Sequence, residues 1–208
     1  PESDLVGPIE TPLPRWLTSA SQLREEEKQD VDQALTAEQF TPKRRPGPLS
    51  GKDRGTLIHW VLERIQNETQ ISALLDEAIR TLNDLDIDQG LKSDTGYRKD
   101  LEEEITMVIR GKEWSEYTIG EHYRELAFVD LRGAPGEWRQ GFFDLYCPRE
   151  KKSLVVDYKT YAVKNREQAE HVIEQDQLNV QRDVYRDAAE IVGPAEVRFY
   201  FTRLPGEV

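Results

Sequence analysis

The chain has 208 residues and a formal net charge of −12, from 40 Asp and Glu against 28 Lys and Arg. That length suits a single domain with a core of its own. The charge argues against a nucleic-acid binder driven by overall electrostatics. No run of about 18 apolar residues exists to cross a membrane, and the single cysteine, Cys147, excludes an internal disulfide, a cysteine zinc site and a cysteine-ligated iron–sulfur cluster within this chain.

Residues 1–48 hold seven of the 11 prolines and the acidic run Glu25-Glu26-Glu27, which fits an extended or partly ordered arm. Ser19 or Ser21 could cap a short helix over Gln22–Gln29. Lys43-Arg44-Arg45 is the densest basic cluster, and Gly47 to Gly51 reads as a hinge. From Gly55, residues Leu57, Ile58, Val61, Leu62 and Ile65 recur on one face, which predicts an amphipathic helix to about Asn67. Further helical patterns cover Ile71–Leu85 and Tyr97–Arg110. The period then switches to two. Tyr117–Leu131, Trp138–Tyr146 and Ser153–Thr160 read as strands, parted by Gly133-Ala134-Pro135-Gly136 and by Cys147–Lys152. Asn165–Val192 reads as one long helix stopped by Gly193-Pro194, and Val197–Phe201 as a last strand. A three-strand meander, a crossover helix and a further strand predict an α/β fold with a mixed central sheet flanked by helices.

The basic residues comprise 18 Arg and 10 Lys. An acid-rich, Lys-poor chain fits a protein kept soluble in concentrated salt, where screening weakens self-repulsion. An ordinary acidic cytosolic protein is the plainer alternative. The chain opens on Pro1 with no basic-then-apolar leader, so no signal peptide is expected and a cytoplasmic location fits. The missing start Met suggests a piece of a longer polypeptide.

The most informative segment is Leu154-Val155-Val156-Asp157-Tyr158-Lys159-Thr160. Alternate side chains of a strand share a face, so Asp157 and Lys159 point one way while Leu154, Val156 and Tyr158 point the other. Charges in a strand otherwise fit for burial need a partner or a metal. The preceding strand repeats the anomaly at Asp144, within Phe142-Phe143-Asp144-Leu145-Tyr146. Paired as a hairpin, the two strands bring Asp144 and Asp157 together, and two carboxylates repel unless a cation or a proton lies between them. Oxygen ligands favour a hard cation such as Mg²⁺; a structural Asp–Lys ion pair is the plainer reading of D-x-K. His59 lies off the apolar stripe of its helix beside Glu63, where an imidazole could ligate a metal. Gln177, Gln181 and Tyr185 recur every four residues and would share one helix face, lining either a polar cleft or an ordinary helix edge. Glu125, within Arg124-Glu125-Leu126-Ala127-Phe128, is either a ligand or a solvent-facing strand residue.

These segments stand in a particular order: Gly55-Thr56-Leu57-Ile58-His59, Glu125-Leu126-Ala127-Phe128, Gly141-Phe142-Phe143-Asp144-Leu145, Val156-Asp157-Tyr158-Lys159-Thr160 and Gln181-Arg182-Asp183-Val184-Tyr185. The series closely resembles the PD-(D/E)XK nuclease domain of the RecB/AddA type, found at the C-terminus of UvrD-like helicases and in RecB-family exonucleases. The likeness covers about residues 50–203, and Thr18-Ser19-Ala20-Ser21 resembles the Ser-rich segment often preceding that domain. Each motif is weak by itself, and five in order are specific. The resemblance implies a restriction-endonuclease-like core over residues 49–208 and hydrolysis of DNA phosphodiester bonds with Mg²⁺ or Mn²⁺; it favours exonucleolytic over endonucleolytic action and leaves both open. It makes His59, Asp144, Asp157 and the Tyr158 carbonyl metal ligands, with Glu125 a further candidate. It makes Lys159 the catalytic lysine, acting with Asp144 and Asp157, and makes Gln181 and Tyr185 its supporting pair.

The chain has no G-x-x-x-x-G-K-[ST] loop, so the helicase motor that the resemblance implies lies elsewhere, on the same polypeptide or on a partner subunit. DNA is the expected partner, in repair or recombination end processing. Its lines of approach are Lys43, Arg44 and Arg45 with Lys52 and Arg54, and the Lys151-Lys152 turn; solvated linker and turn residues are the plainer alternative. A competing reading is a nuclease-like module that binds DNA or docks a partner without cutting. The complete His59, Asp144, Asp157 and Lys159 set argues against it.

Overall fold

The computed structural model describes residues 17–19, 49–81, 91, 95–131 and 138–204. The helix expected over Gln22–Gln29 and the Lys43-Arg44-Arg45 cluster lie outside the described residues. Helix α1 spans Gly51–Arg64. Ser50 caps it by accepting the Asp53 N–H at 3.1 Å, and Asp53 and Arg64 sit at the ends that the helix dipole favours. The Ser50 cap starts the helix at Gly51, ahead of Gly55, in a polar first turn that carries no apolar signal. Leu57, Ile58, Val61 and Leu62 are buried in the largest hydrophobic cluster. They pack there with helices α2 (Ile71–Thr81) and α3 (Thr95–Arg110) and with one face of the sheet.

The segment read as the start of the first long strand is instead helix α4, Lys112–Thr118. Trp114 and Tyr117 are buried there at helical spacing. The chain becomes extended only after Gly120, whose φ of +80° suits glycine. The strands are β1 (Leu17–Ser19), β2 (Tyr123–Asp130), β3 (Trp138–Cys147), β4 (Ser153–Lys159) and β5 (Ala195–Phe201). The sheet is mixed: β2 and β4 run antiparallel to β3, whereas β1 pairs parallel with β3 and β5 parallel with β4. Ser19 therefore lies in an edge strand rather than capping a helix. This is the α/β architecture expected of a restriction-endonuclease-like core.

The connection from β4 to β5 is two helices, α5 (Arg166–Gln175) and α6 (Leu178–Ala189). They part at Gln177, which takes a left-handed φ of 50°. The predicted single helix is thus broken, and Gln177 does not continue the face that carries Gln181 and Tyr185. Helix α6 packs Val184, Tyr185, Ala188 and Ala189 on the opposite side of the sheet from α1, against Phe143, Tyr146 and Val155.

Pairing between β3 and β4 covers only Leu145–Cys147 against Leu154–Val156. Beyond Leu145 and Val156 the ladder stops, although Asp144 and Asp157 continue the same register. This break in the ladder positions the site.

Candidate active site

Strand β4 is buried along its whole length, including Asp157 and Lys159. Its apolar residues account for the burial: Leu154, Val156 and Tyr158 enter the α1 side of the core, and Val155 enters the α6 side. The two charged groups are consequently carried into the interior and must find partners there. Lys159 Nζ lies 2.5 Å from Asp157 Oδ2 and donates to Gln181 Oε1 at 2.8 Å. The Gln181 amide in turn donates to the Tyr185 hydroxyl at 2.9 Å. Tyr185 is wedged edge-on against Phe128 and Phe143. An aromatic cluster thus fixes an amide, and the amide fixes the ammonium group.

Where the ladder stops, the Asp144 side chain replaces a backbone partner: its Oδ2 accepts the Tyr158 N–H at 2.6 Å. Its Oδ1 lies 3.4 Å from His59 Nδ1. The other His59 nitrogen, Nε2, contacts the Tyr158 carbonyl at 2.9 Å. Glu125, on β2, sits at the level of Asp144, and the β2–β3 ladder skips this pair. Its φ of 49° is a conformation that non-glycine residues adopt only at a cost, and such strain recurs at functional sites. One ligand atom each from His59, Glu125 and Asp144 lies within 4.8 Å of the others.

The family model of the PD-(D/E)XK nuclease superfamily matches residues 19–206. The chain belongs to the PD-(D/E)XK nuclease superfamily. No curated protein matches the chain. Membership makes a nuclease, a hydrolase of nucleic acid, the coarse functional class, and PD-(D/E)XK nucleases generally use Mg²⁺ or Mn²⁺.

The electrostatics of this candidate centre fit a cation. Burial, then the Asp144 carboxylate, push the Glu125 carboxyl up to about 7. Burial likewise raises Asp157 to about 6; Lys159 opposes the rise and Asp144 adds to it. Burial would lower the His59 pKa, but Asp144 and then Asp157 outweigh it and hold the imidazole at about 9. Asp144 shows the reverse balance: burial acts to raise its pKa, and His59, the Tyr158 N–H and Lys159 together bring it below the usual carboxylate value. Three carboxylates, two of them with raised pKa values and one with a lowered value, one imidazole and no soft ligand form a donor set for a hard divalent ion.

The sequence-derived residues fall into three groups. His59, Glu125 and Asp144 converge; Asp157, Lys159, Gln181 and Tyr185 form the adjoining chain of contacts; the Tyr158 carbonyl is engaged by His59. Lys52 is exposed on the first turn of α1. Arg54 does not fit a DNA-contacting role. It is buried, it pairs with Glu104, and it donates to the Thr160 carbonyl at 3.3 Å.

Glu104 is a residue that the sequence reading missed. Its carboxylate also accepts from Thr202 and, at 2.7 Å, from Arg203. It thereby ties α1 and α3 to the chain following β5, next to Thr160 at the end of the site strand. The signal was present: Glu104 lies three residues after Leu101 on the stripe of Leu101, Ile105 and Val108, all of them buried.

Proposed function

We propose that the protein is a Mg²⁺- or Mn²⁺-dependent deoxyribonuclease of the RecB/AddA type that trims DNA ends. The observation that carries this reading is the convergence of the His59, Glu125 and Asp144 ligand atoms beside Lys159, in a chain of this superfamily. His59, Glu125 and Asp144 would hold the cation, with Asp157 alongside. His59 Nδ1 faces Asp144, so Nε2 remains free to donate to the Tyr158 carbonyl and fix the ring, a common support for a ligating imidazole. The Tyr158 carbonyl would thus orient the ring, and its second lone pair leaves it able to serve as the further ligand. When bound, the cation supplies Lewis-acid neutralisation of the phosphate charge and eases ionisation of water beside it.

The protein's own groups do the positioning. Lys159 has three N–H donors. Asp157 and Gln181 engage part of that capacity, leaving a donor to direct at the attacking water or at a non-bridging phosphate oxygen. Gln181, held by Tyr185, keeps the ammonium from swinging away. Burial of this chain of contacts excludes bulk water and strengthens each of them.

The activity is exonucleolytic and serves DNA repair or recombination in the cytoplasm. A helicase motor on the same polypeptide or on a partner subunit supplies the strand at high effective concentration, so an acidic domain needs little affinity of its own. The order of the five motifs supports this finer assignment. The test is digestion of end-labelled single- and double-stranded DNA with Mg²⁺ or Mn²⁺, at low and at molar KCl. Lys159→Ala and Asp144→Ala should abolish cleavage while far-UV circular dichroism stays unchanged. Undiminished cleavage by either variant removes the assignment. No cleavage by wild type with any metal or DNA form replaces it with a non-cutting DNA-binding module.

A further inference from the structure

Arg182 follows Gln181 on α6 and is not used by the chemistry proposed above. Its guanidinium carbon stands 4.7 Å from the centre of the Phe199 ring. Lys159 Nζ stands 5.2 Å from the same ring centre. Phe199 is fully buried on β5 and pairs in register with Asp157 on β4. The two cationic groups are therefore no farther apart than those two distances laid end to end, and Arg182 stands one strand away from Asp157.

Other buried or half-buried arginines of the described chain have oxygen partners. Arg54 and Arg203 share Glu104, Arg139 meets Asp130 and Asp187, and Arg198 meets Glu196. Arg124 donates to carbonyls at the end of α1. Arg182 makes no hydrogen bond to any of the described residues; its Nε is buried without a partner, as are those of Arg124 and Arg139, but their terminal nitrogens are engaged and those of Arg182 are not. The adjacent carboxylate, Asp183, accepts instead from Arg186 at 2.6 Å. Burial is the largest influence on Arg182; Asp183 attracts it without a hydrogen bond, and Arg186 repels it. Holding a guanidinium half-buried, stacked and unpaired carries a desolvation cost. In a chain with 40 acidic residues, that cost is easily avoided. The group is instead left open to an anion from outside.

We propose that Arg182 binds a phosphate of the substrate strand adjoining the one that is cleaved. Its planar fork suits two phosphate oxygens, and the Phe199 ring fixes the plane of the fork. Arg182 would thereby set the strand's register relative to Lys159. This inference rests on the reading of the Lys159 centre as a nuclease site.

The test uses the full chain and a fluorescein-labelled single-stranded oligonucleotide, with binding followed by anisotropy in EDTA across a KCl series. Arg182→Met keeps the packing on Phe199 and removes the charge. It should raise Kd about tenfold and reduce the slope of log Kd against log salt by about 0.7, the value for one lost phosphate contact on a single strand. Arg182→Lys should restore the slope. Arg182→Gln serves in place of Arg182→Met if the latter lowers Tm. In cleavage assays, one methylphosphonate next to the scissile position should raise KM for wild type and not for Arg182→Met. Unchanged Kd, salt slope and methylphosphonate response in a variant of wild-type Tm overturn the inference and leave Arg182 as a packing element. That outcome, with cleavage still lost in Lys159→Ala, leaves the nuclease reading standing. Absence of cleavage by wild type removes the nuclease reading, and the salt slope still decides whether Arg182 meets a phosphate.

Discussion

Replacing Glu125 by Gln separates the stability of the fold from its capacity for metal. Burial and the Asp144 carboxylate hold the Glu125 pKa at about 7 instead of 4.5. A carboxyl whose folded-state pKa is raised costs nothing below pH 4.5 and destabilises the fold increasingly as pH rises through 7. The full difference corresponds to about 3.4 kcal/mol. Glu125 is half-buried, and solvent screening leaves about 1–2 kcal/mol of it. Gln keeps the shape and the positive φ, so backbone strain cancels in the comparison. In EDTA at pH 8 the variant should be the more stable protein, with Tm higher by roughly 2–8 °C for a chain of this size. At pH 4.5 the two should coincide. With Mn²⁺ at about a hundredfold over its Kd, wild type should gain about 2.7 kcal/mol, and the variant should gain much less. Thermal unfolding by circular dichroism under these conditions decides the matter. A variant less stable than wild type in EDTA at pH 8, or one that gains as much from Mn²⁺, refutes the assignment of Glu125 as a strained, charge-frustrated ligand.

Glu104→Gln leaves Arg54 and Arg203 buried without their carboxylate. It should cost about 3–5 kcal/mol, read as a lower urea midpoint at unchanged slope; a cost below about 1 kcal/mol contradicts the brace. Gly141→Ala places a Cβ 2.8 Å from Phe128 Cζ, on a ring already stacked against Phe143 at 4.6 Å between centroids. The ring cannot retreat, so a loss of about 1–3 kcal/mol is expected, and unchanged thermal stability would disprove this account of the packing. Cys147 is buried, and burial raises its thiol pKa to about 11. Native protein should therefore resist alkylation at pH 8 and react only on unfolding; labelling at the rate of a free thiol would show the β3 end to be open.

Much of the site was legible because a strand's period of two is unforgiving. Asp157 and Lys159 had to share a face, and a hairpin could bring Asp144 to Asp157, a register that the pairing of Leu145 with Val156 supplies. What stayed hidden was the stopping of the ladder, because the exchange of a backbone partner for the Asp144 carboxylate leaves no compositional mark. The left-handed turn at Gln177 was equally silent. No Gly or Pro marks it, and the chain is redirected there by tertiary contacts: Tyr161 binds Asp176 at 2.5 Å, and Leu178 is fully buried. The opposite error occurred at Tyr117. Its aromatic side chain reads as a strand former, whereas its spacing from Trp114 makes it the buried face of a helix. Local propensity misled where packing decided, and periodicity succeeded where one face was obligatorily buried.

The net charge of −12 bears on the substrate in a more specific way than composition alone implied. Arg54, Arg98, Arg110, Arg139, Arg198 and Arg203 are engaged by carboxylates, so they offer little field to a distant polyanion. At the site itself Glu125, Asp144 and Asp157 repel a phosphate at short range. A divalent ion at the proposed site would offset that charge, so metal should strengthen the binding of a phosphodiester there. Close to the site, Lys159, itself paired with Asp157, and Arg182 lie on the α6 side of β4 and β5, whereas His59 approaches from α1 on the opposite face. A strand crossing the opening between β3 and β4 would therefore meet acid and metal first and guanidinium next. Affinity for DNA should accordingly rise with divalent metal at constant ionic strength. A fall under those conditions would mean that the carboxylates do not face the strand.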